Sequence, residues 1–250
     1  GTMPSTTPVA LITGAAHRLG AQTARTLHER GWNLVIHYRS REEQANSLIA
    51  QMNRERPDSA CALRADLSQL AGVDQLASDA VAQWGRLDAL VNNASVFYPT
   101  PTADATEDDW DTILNTNLRA PFFLLQKCLA ELRRNRGSVV NLIDIYSERP
   151  IDDHPLYCAT KAGLAALTRS WAKDLAPDVR VNGVSPGAIL WPEGEAEMDQ
   201  SAQQAILQKT PLARTGNPDD ISKTIAFLIC DAPFITGQII SVDGGRSLNM

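Results

Sequence analysis

The chain is 250 residues long, 44% hydrophobic and 21% charged, which allows one globular domain with a buried core. A net charge of -6 argues against a general nucleic-acid binder, since a phosphate backbone demands a basic face. No apolar stretch approaches the roughly 20 residues of a membrane span, and no charged segment leads into an apolar one in the manner of a secretory signal.

In chain order, residues 1–8 read as a disordered, tag-derived lead-in to a domain covering residues 9–250. β-like runs are expected at Val9–Thr13, Asn33–Tyr38, Cys61–Arg64, Ala89–Asn92, Ser138–Ile143, Arg180–Ser185 and Ile239–Val242. Helical stretches alternate with them at Leu19–Arg30, Glu42–Arg56, Leu70–Trp84, Thr112–Arg134, Leu156–Leu175, Glu195–Gln208 and Pro218–Cys230. This alternation implies right-handed crossovers and a parallel sheet covered on both faces. The expected fold class is therefore α/β, a Rossmann-type doubly wound sheet of seven strands in one domain. The least regular segment is Gly187–Asp199, with Trp191, Pro192 and several glutamates. It reads as a solvated loop, and its place after a strand C-terminus also makes it a candidate lid. Cys61, Cys128, Cys158 and Cys230 stand singly, without CxxC or His/Cys ligand spacing. No metal site or disulfide framework is expected, and reduced thiols in a cytoplasmic protein are the plainer reading.

Val9 to Gly20 reads as a strand, a glycine-bearing turn and a helix start. Gly14 permits the sharp turn, Gly20 lets the helix approach the sheet, and the helix N-terminus attracts a pyrophosphate. The second strand ends His37-Tyr38-Arg39-Ser40, without the acid that would bind a ribose 2′-hydroxyl. Arg39 and Ser40 suit a 2′-phosphate instead, so NADPH is the expected cofactor; exposed charges capping a loop are the plainer alternative. Further on, Tyr157 and Lys161 stand at i and i+4, on one helix face. An ammonium beside a phenol is expected to lower its pKa from about 10, making Tyr157 a proton donor near neutral pH. The β-run Val139–Asp144 ends at the same place.

These motifs, in this order from Val9 to Gly245, resemble the short-chain dehydrogenase/reductase family. In that family the position thirteen before the tyrosine is usually a serine that hydrogen-bonds a carbonyl oxygen; here it is Asp144. An Asp–Tyr–Lys set is similar to the pteridine reductases, which reduce C=N bonds of a pterin. Arg18 stands where the family usually has the middle glycine of its turn, followed by Leu19 and Gly20; in pteridine reductases an arginine there contacts both pyrophosphate and pterin. The resemblance implies that Asp66, followed by Leu67, contacts the adenine amino group. It implies that Asn93 and Ala94 pass the nicotinamide ribose, while Asn92 ties strands together. Ser95 replaces the family's usual glycine, as in pteridine reductases. Phe97 reads as either a core anchor for a proline turn or a stacking platform, and the resemblance favours stacking on the pterin. The resemblance further implies that Asn117 holds a water beside the lysine. Pro186, Gly187 and Ile189 lie in a segment similar to the loop that contacts the nicotinamide carboxamide, and Asp243-Gly244-Gly245 is similar to the motif closing the last strand.

The expectation is an NADPH-dependent pterin reductase with Asp144, Tyr157, Lys161 and Asn117 as its catalytic set; Tyr157 is expected to protonate an oxidised pterin, and for a dihydropterin a water held by Arg18 or Asp144 stands as the alternative donor. Arg18, Ser95, Phe97, Asp144 and Tyr157 are expected to hold the substrate. The resemblance also implies a homotetramer, paired through the stretches Thr112–Arg134 and Leu156–Leu175. Three alternatives stand: a generic carbonyl or 3-ketoacyl reductase, a dihydromonapterin- or dihydrofolate-type reductase, and an NADPH-binding regulatory protein. A terminal arginine that reaches a neighbouring subunit in some pteridine reductases has no counterpart here beyond Arg246.

Overall fold

Uninterrupted runs of Val, Leu, Ile and Ala are buried on both faces, and this makes central parallel strands. The computed structural model describes residues 6–189 and 199–250. Its strands are β1 (Val9–Ile12), β2 (Asn33–Tyr38), β3 (Ala60–Arg64), β4 (Ala89–Asn92), β5 (Ser138–Leu142), β6 (Arg180–Pro186) and β7 (Ile239–Val242). They form one parallel sheet in the order β3-β2-β1-β4-β5-β6-β7. Chain direction across the sheet reverses between β1 and β4, and a crevice opens there at the strand C-termini. The register brings the ends level: Ile12 lies opposite Ile36 and Val91, Asn92 opposite Asn141, and Leu142 opposite Val184.

The helices are α1 (Arg18–Glu29), α2 (Glu42–Glu55), α3 (Leu70–Trp84), α4 (Glu107–Leu114), α5 (Ala120–Arg134), α6 (Pro155–Leu175), α7 (Gln200–Gln208) and α8 (Pro218–Cys230). Successive strand residues point to opposite faces, so Val9 and Leu11 enter one core layer with Val73, Leu124, Leu164 and Trp171. Ala10 and Ile12 enter the other with Leu27, Leu48, Met52 and Ile225. Thus α3, α5 and α6 cover one face of the sheet, and α1, α2 and α8 the other.

The single helix expected at Thr112–Arg134 begins earlier and is interrupted. Thr106 caps α4: its hydroxyl accepts the Asp109 N–H at 3.1 Å, and the Asp109 carboxylate accepts the Thr106 N–H at 3.0 Å, a reciprocal cap that fixes the start. Between α4 and α5 the chain widens into a π-helical turn, Asn115–Arg119; such turns concentrate at functional sites. Two short 3₁₀ turns, Ile145–Ser147 and Arg246–Asn249, carry no hydrophobic periodicity and were not expected. The seventh helix starts at Gln200, where the Asp199 carboxylate accepts the Ala202 N–H at 2.7 Å; the expected residues 195–198 lie outside the described residues. So does the candidate lid, except for its ends.

Asn92 does tie strands. Its Nδ2 donates to Asn141 Oδ1 at 2.9 Å across β4 and β5, and Asn141 Nδ2 donates to Thr168 Oγ1 of α6 at 2.9 Å. This buried chain of amides joins three elements that carry the site residues and leaves neither asparagine unsatisfied.

Candidate active site

Two neighbouring clefts open along the C-terminal edge of the sheet. The first, of about 310 Å³, is lined by Gly14, His37, Tyr38, Arg39, Ser40, Asp66, Leu67, Asn93, Ala94 and Ser95, with Arg41 and Thr116. The second, of about 300 Å³, is lined by Arg18, Leu19, Asn93, Ser95, Asp144, Tyr157, Lys161, Pro186, Gly187 and Ile189. His17, Asn93 and Ser95 line both, so the two clefts form one trough. Nearly every sequence-derived candidate therefore lies on one edge. The exceptions are Gly20, Asn117 and Phe97.

Gly14 and Gly20 shape the turn under the trough. Gly14 has φ +59, and Cβ on Gly20 would lie 2.4 Å from the Gly14 carbonyl oxygen and 2.7 Å from the Asn93 amide nitrogen. Only glycine lets α1 start this close to the strand ends, and its first turn holds no acid, so the positive helix terminus faces the trough uncompensated. Arg18 adopts φ +48, a left-handed conformation that glycine takes freely and arginine does not. Its Nε donates to His17 Nε2 at 2.9 Å.

His37 plays a different part from the one expected. Its Nδ1 accepts the Gly14 N–H at 2.9 Å and its Nε2 lies 2.9 Å from the Ala65 carbonyl oxygen. Burial pushes its pKa down to about 4, so the neutral ring is a tie between the glycine turn and the end of β3. Asn93 is likewise occupied: its Nδ2 donates to the carbonyls of Thr13 and Gly14, both at 3.1 Å. Thr13 escaped the sequence reading, yet its hydroxyl accepts the N–H groups of Asn93 and Ala94 at 3.0 and 2.9 Å. At the far end of the first cleft Arg39 and Arg41 stand on the wall, and the Arg64 Nε donates to the Arg39 carbonyl at 3.1 Å. The Ser68 hydroxyl, with smaller help from Arg39 and Arg64, holds the Asp66 carboxyl below its ordinary pKa. This basic end and the missing acid fit a phosphorylated ribose.

In the second cleft Tyr157 Oη donates to Asp144 Oδ2 at 2.6 Å, and Asp144 Oδ1 accepts the Tyr146 N–H at 3.0 Å. Lys161 Nζ donates to the Leu142 carbonyl at 2.9 Å and lies 5.7 Å from the centre of the Tyr157 ring. Tyr157 and Lys161 are 6% and 4% exposed. The expected lowering of the Tyr157 pKa is reversed. Burial, then the charge of Asp144, raises the phenol well above 10, while burial pushes Lys161 down to about 8. Burial also raises Asp144, against the opposing pull of its hydrogen bond from Tyr157. The sequence shows that the lysine is near the phenol; it does not show that the carboxylate is nearer and that all three groups are dry.

Asn117 is expected to hold a water beside the lysine; its side-chain amide is engaged by the next loop. Its Oδ1 accepts the Val96 N–H at 2.8 Å and its Nδ2 donates to the Val96 carbonyl at 3.0 Å, with Thr160 Oγ1 at 3.3 Å. From the π-helical turn it clamps the loop that carries Ser95 and Phe97. Phe97 joins neither core layer; it stands edge-on to Tyr157, ring centres 4.8 Å apart.

A doubly wound parallel sheet, a glycine turn at a helix N-terminus and a buried Tyr/Lys pair beside the strand C-termini define a nicotinamide-nucleotide-dependent oxidoreductase. A short-chain dehydrogenase model described as Enoyl-(Acyl carrier protein) reductase matches residues 14–247, and the chain belongs to the short-chain dehydrogenase/reductase family. Pteridine reductase 1 of Leishmania tarentolae is 36% identical over 288 residues, covering 99% of both chains. The 3-oxoacyl-(acyl-carrier-protein) reductase FabG of Staphylococcus aureus is also 36% identical, over 96% of this chain and 98% of its own. The crystal structure of a short-chain dehydrogenase/reductase, Glucose/ribitol dehydrogenase, from Brucella melitensis superposes with a TM-score of 0.86 at 31% identity, over 98% of this chain and 99% of that one.

Two outcomes follow from this geometry. Arg39→Ala should reduce the ratio of kcat/KM for NADPH over NADH by roughly ten- to a hundredfold, the worth of one charge-assisted hydrogen bond to a 2′-phosphate; equal kcat/KM values for the two cofactors in the parent protein would contradict the assignment. Lys161 gives the second. Because its pKa falls from 10.5 to about 8 on folding, the unfolded chain binds more protons between those values, and stability rises with pH across that window. Lys161→Met should remove that slope, as read by denaturant titration at several pH values, while turnover is lost.

Proposed function

We propose that the protein uses NADPH to reduce a C=N bond of a pterin, taking dihydrobiopterin, dihydromonapterin or dihydrofolate to the tetrahydro form. The observation that carries this reading is the 2.6 Å hydrogen bond from Tyr157 to the buried Asp144 carboxylate. A serine in this place would donate to a ketone oxygen, whereas a carboxyl group can accept a ring N–H or hold a transferable proton. The glycine turn, the basic wall at Arg39 and Arg41, and the open α1 terminus fit the cofactor's phosphates. When bound, the reduced nicotinamide supplies the hydride taken up by the carbon of the C=N bond.

The proton for the nitrogen comes from this chain. With its pKa so high, Tyr157 cannot leave a free phenolate near neutrality. A proton shared by the pair solves this, since burial strengthens the hold of Asp144 on it: in the form that transfers, the carboxyl O–H donates to the phenol oxygen, and the phenol O–H turns from the carboxylate toward the substrate. As Tyr157 gives its proton to the nitrogen, Asp144 replaces it, and the carboxylate is later reprotonated from water. The two groups titrate as one unit. Lys161, held by the Leu142 carbonyl, fixes one wall and would hold the ribose. Arg18 brings a cation to the rim of the same cleft.

A 3-ketoacyl reductase is the second reading, favoured by the equal identity to the Staphylococcus aureus reductase. NADPH oxidation with dihydrobiopterin, dihydromonapterin, dihydrofolate and a ketoacyl thioester separates the two. Substantial turnover of a dihydropterin and little of the thioester is expected. Asp144→Ser should lower kcat/KM for the pterin by roughly 10²–10⁴, as for a lost acid–base partner. Pterin turnover in the parent protein should fall as pH rises through the apparent pKa of the pair, because the protonated carboxyl is the active form, and Asp144→Asn should abolish that limb. Preference for the thioester, or an unchanged Asp144→Ser variant, would return the chain to the carbonyl reductases.

A cytoplasmic homotetramer belongs to the same reading. Trp110 and Phe122 are 52% and 37% exposed and border a shallow apolar cleft with Leu114, Leu118 and Leu167 on α4, the π-helical turn, α5 and α6. An apolar surface of this kind is better covered by a second chain. Light scattering at micromolar concentration should give the mass of four chains; a monomer would exclude it.

A further inference from the structure

Phe97 is held by more than its own loop. The His154 imidazole lies flat against it, ring centres 4.5 Å apart and planes 10° from parallel, while the Tyr157 ring meets Phe97 edge-on at 77°. His154 caps the start of α6, three residues before Tyr157. Its position is specified by backbone on both sides. Its Nδ1 lies 2.7 Å from the Asp152 carbonyl oxygen, an acceptor only, so Nδ1 carries the proton. Asp153 takes φ +60, an unfavourable conformation for a residue with a side chain. The Asp153 carbonyl in turn accepts the Thr100 N–H at 2.7 Å, joining the Phe97 loop to the His154 loop. The remaining ring nitrogen, Nε2, is buried without a partner among the described residues.

An unmet acceptor and a strained residue are both unfavourable; what the arrangement secures is the imidazole face on Phe97. We infer that His154 is a positioning residue for the flat substrate: it backs the Phe97 ring and so sets the plane against which a heterocycle stacks beside Tyr157. The proposal rests on the pterin reading for the identity of that heterocycle. It does not give His154 any contact with the reacting atoms. Phe97 belongs to neither core layer, so its orientation depends on this stack, the Tyr157 edge and the Asn117 clamp on Val96.

The test compares His154→Ala and His154→Phe in the full chain with NADPH. His154→Ala should raise KM for dihydrobiopterin about three- to tenfold, the range for one aromatic pair, with kcat and the NADPH dissociation constant within twofold of the parent. His154→Phe keeps the stacked face and lacks the unmet nitrogen. It should restore KM and melt at a higher temperature than the parent. A merely structural role would move kcat, NADPH binding and KM together and would not be rescued selectively. Unchanged KM in His154→Ala, or His154→Phe behaving like His154→Ala, overturns the inference while leaving the pterin reading intact. Absence of dihydropterin turnover in the parent protein overturns the pterin reading and the substrate role with it. A fold lost in His154→Ala is met by His154→Gln, which cannot stack as a ring: a parent-like KM there also overturns the inference.

Discussion

Three ionisable side chains share one dry space at the end of β5, and the rest of the site is arranged around that constraint. Tyr157 and Lys161 come from the first turns of α6 and Asp144 from the residues just past the strand. Each is disfavoured in its charged form by burial. Their mutual placement has to be held to a few tenths of an ångström for the 2.6 Å contact to persist, and a loose scaffold could not do this. The amide chain Asn92–Asn141–Thr168 supplies that stiffness. It links β4, β5 and α6 through bonds that become costly to break because nothing else in the interior can replace them.

The cofactor side is built on a different economy of parts. Thr13, His37 and Asn93 spend their polar atoms on backbone groups of the glycine turn and its neighbours. The turn is therefore set before any ligand arrives, and preorganisation of this kind lowers the ordering cost of binding. Arg39, Ser40 and Arg41 line the first cleft and Arg18 the second. Overall similarity does not separate the two activities, since two relatives of unlike name are equally similar to the whole chain.

Much of the fold was legible because strand and helix periodicities alternate cleanly; β2, β4, β7, α3 and α8 fall where the pattern puts them. Boundaries were missed where a side chain rather than hydrophobicity decides them. Thr106 and Asp109 start α4 ahead of its apolar face, and the π-helical turn at Asn115–Arg119 breaks a pattern that reads as one helix. At the site, residue identities carried the grouping, because glycines, a basic strand end and a Tyr/Lys pair are spaced by the fold itself. Their roles were less legible. Which backbone the Asn117 amide clamps, and whether a phenol feels an ammonium or a carboxylate first, depends on directions and desolvation that no spacing encodes. His154 left no sequence signal at all, since its partner is 57 positions away in the chain and meets it only through two loops.

Arg18 holds a left-handed backbone conformation, as Gly14 does, at a place in the turn where glycine would rest at ease. Such a conformation costs on the order of 1–3 kcal/mol for a residue with a side chain, yet it sets a guanidinium at the rim of the second cleft. Selection on this residue is thus pulled two ways. Drift toward glycine would make the apoprotein sturdier and leave strand, helix and tyrosine untouched, while stripping the trough of its central cation. The stability of the turn and the charge of the cleft are thereby set against each other in a single residue.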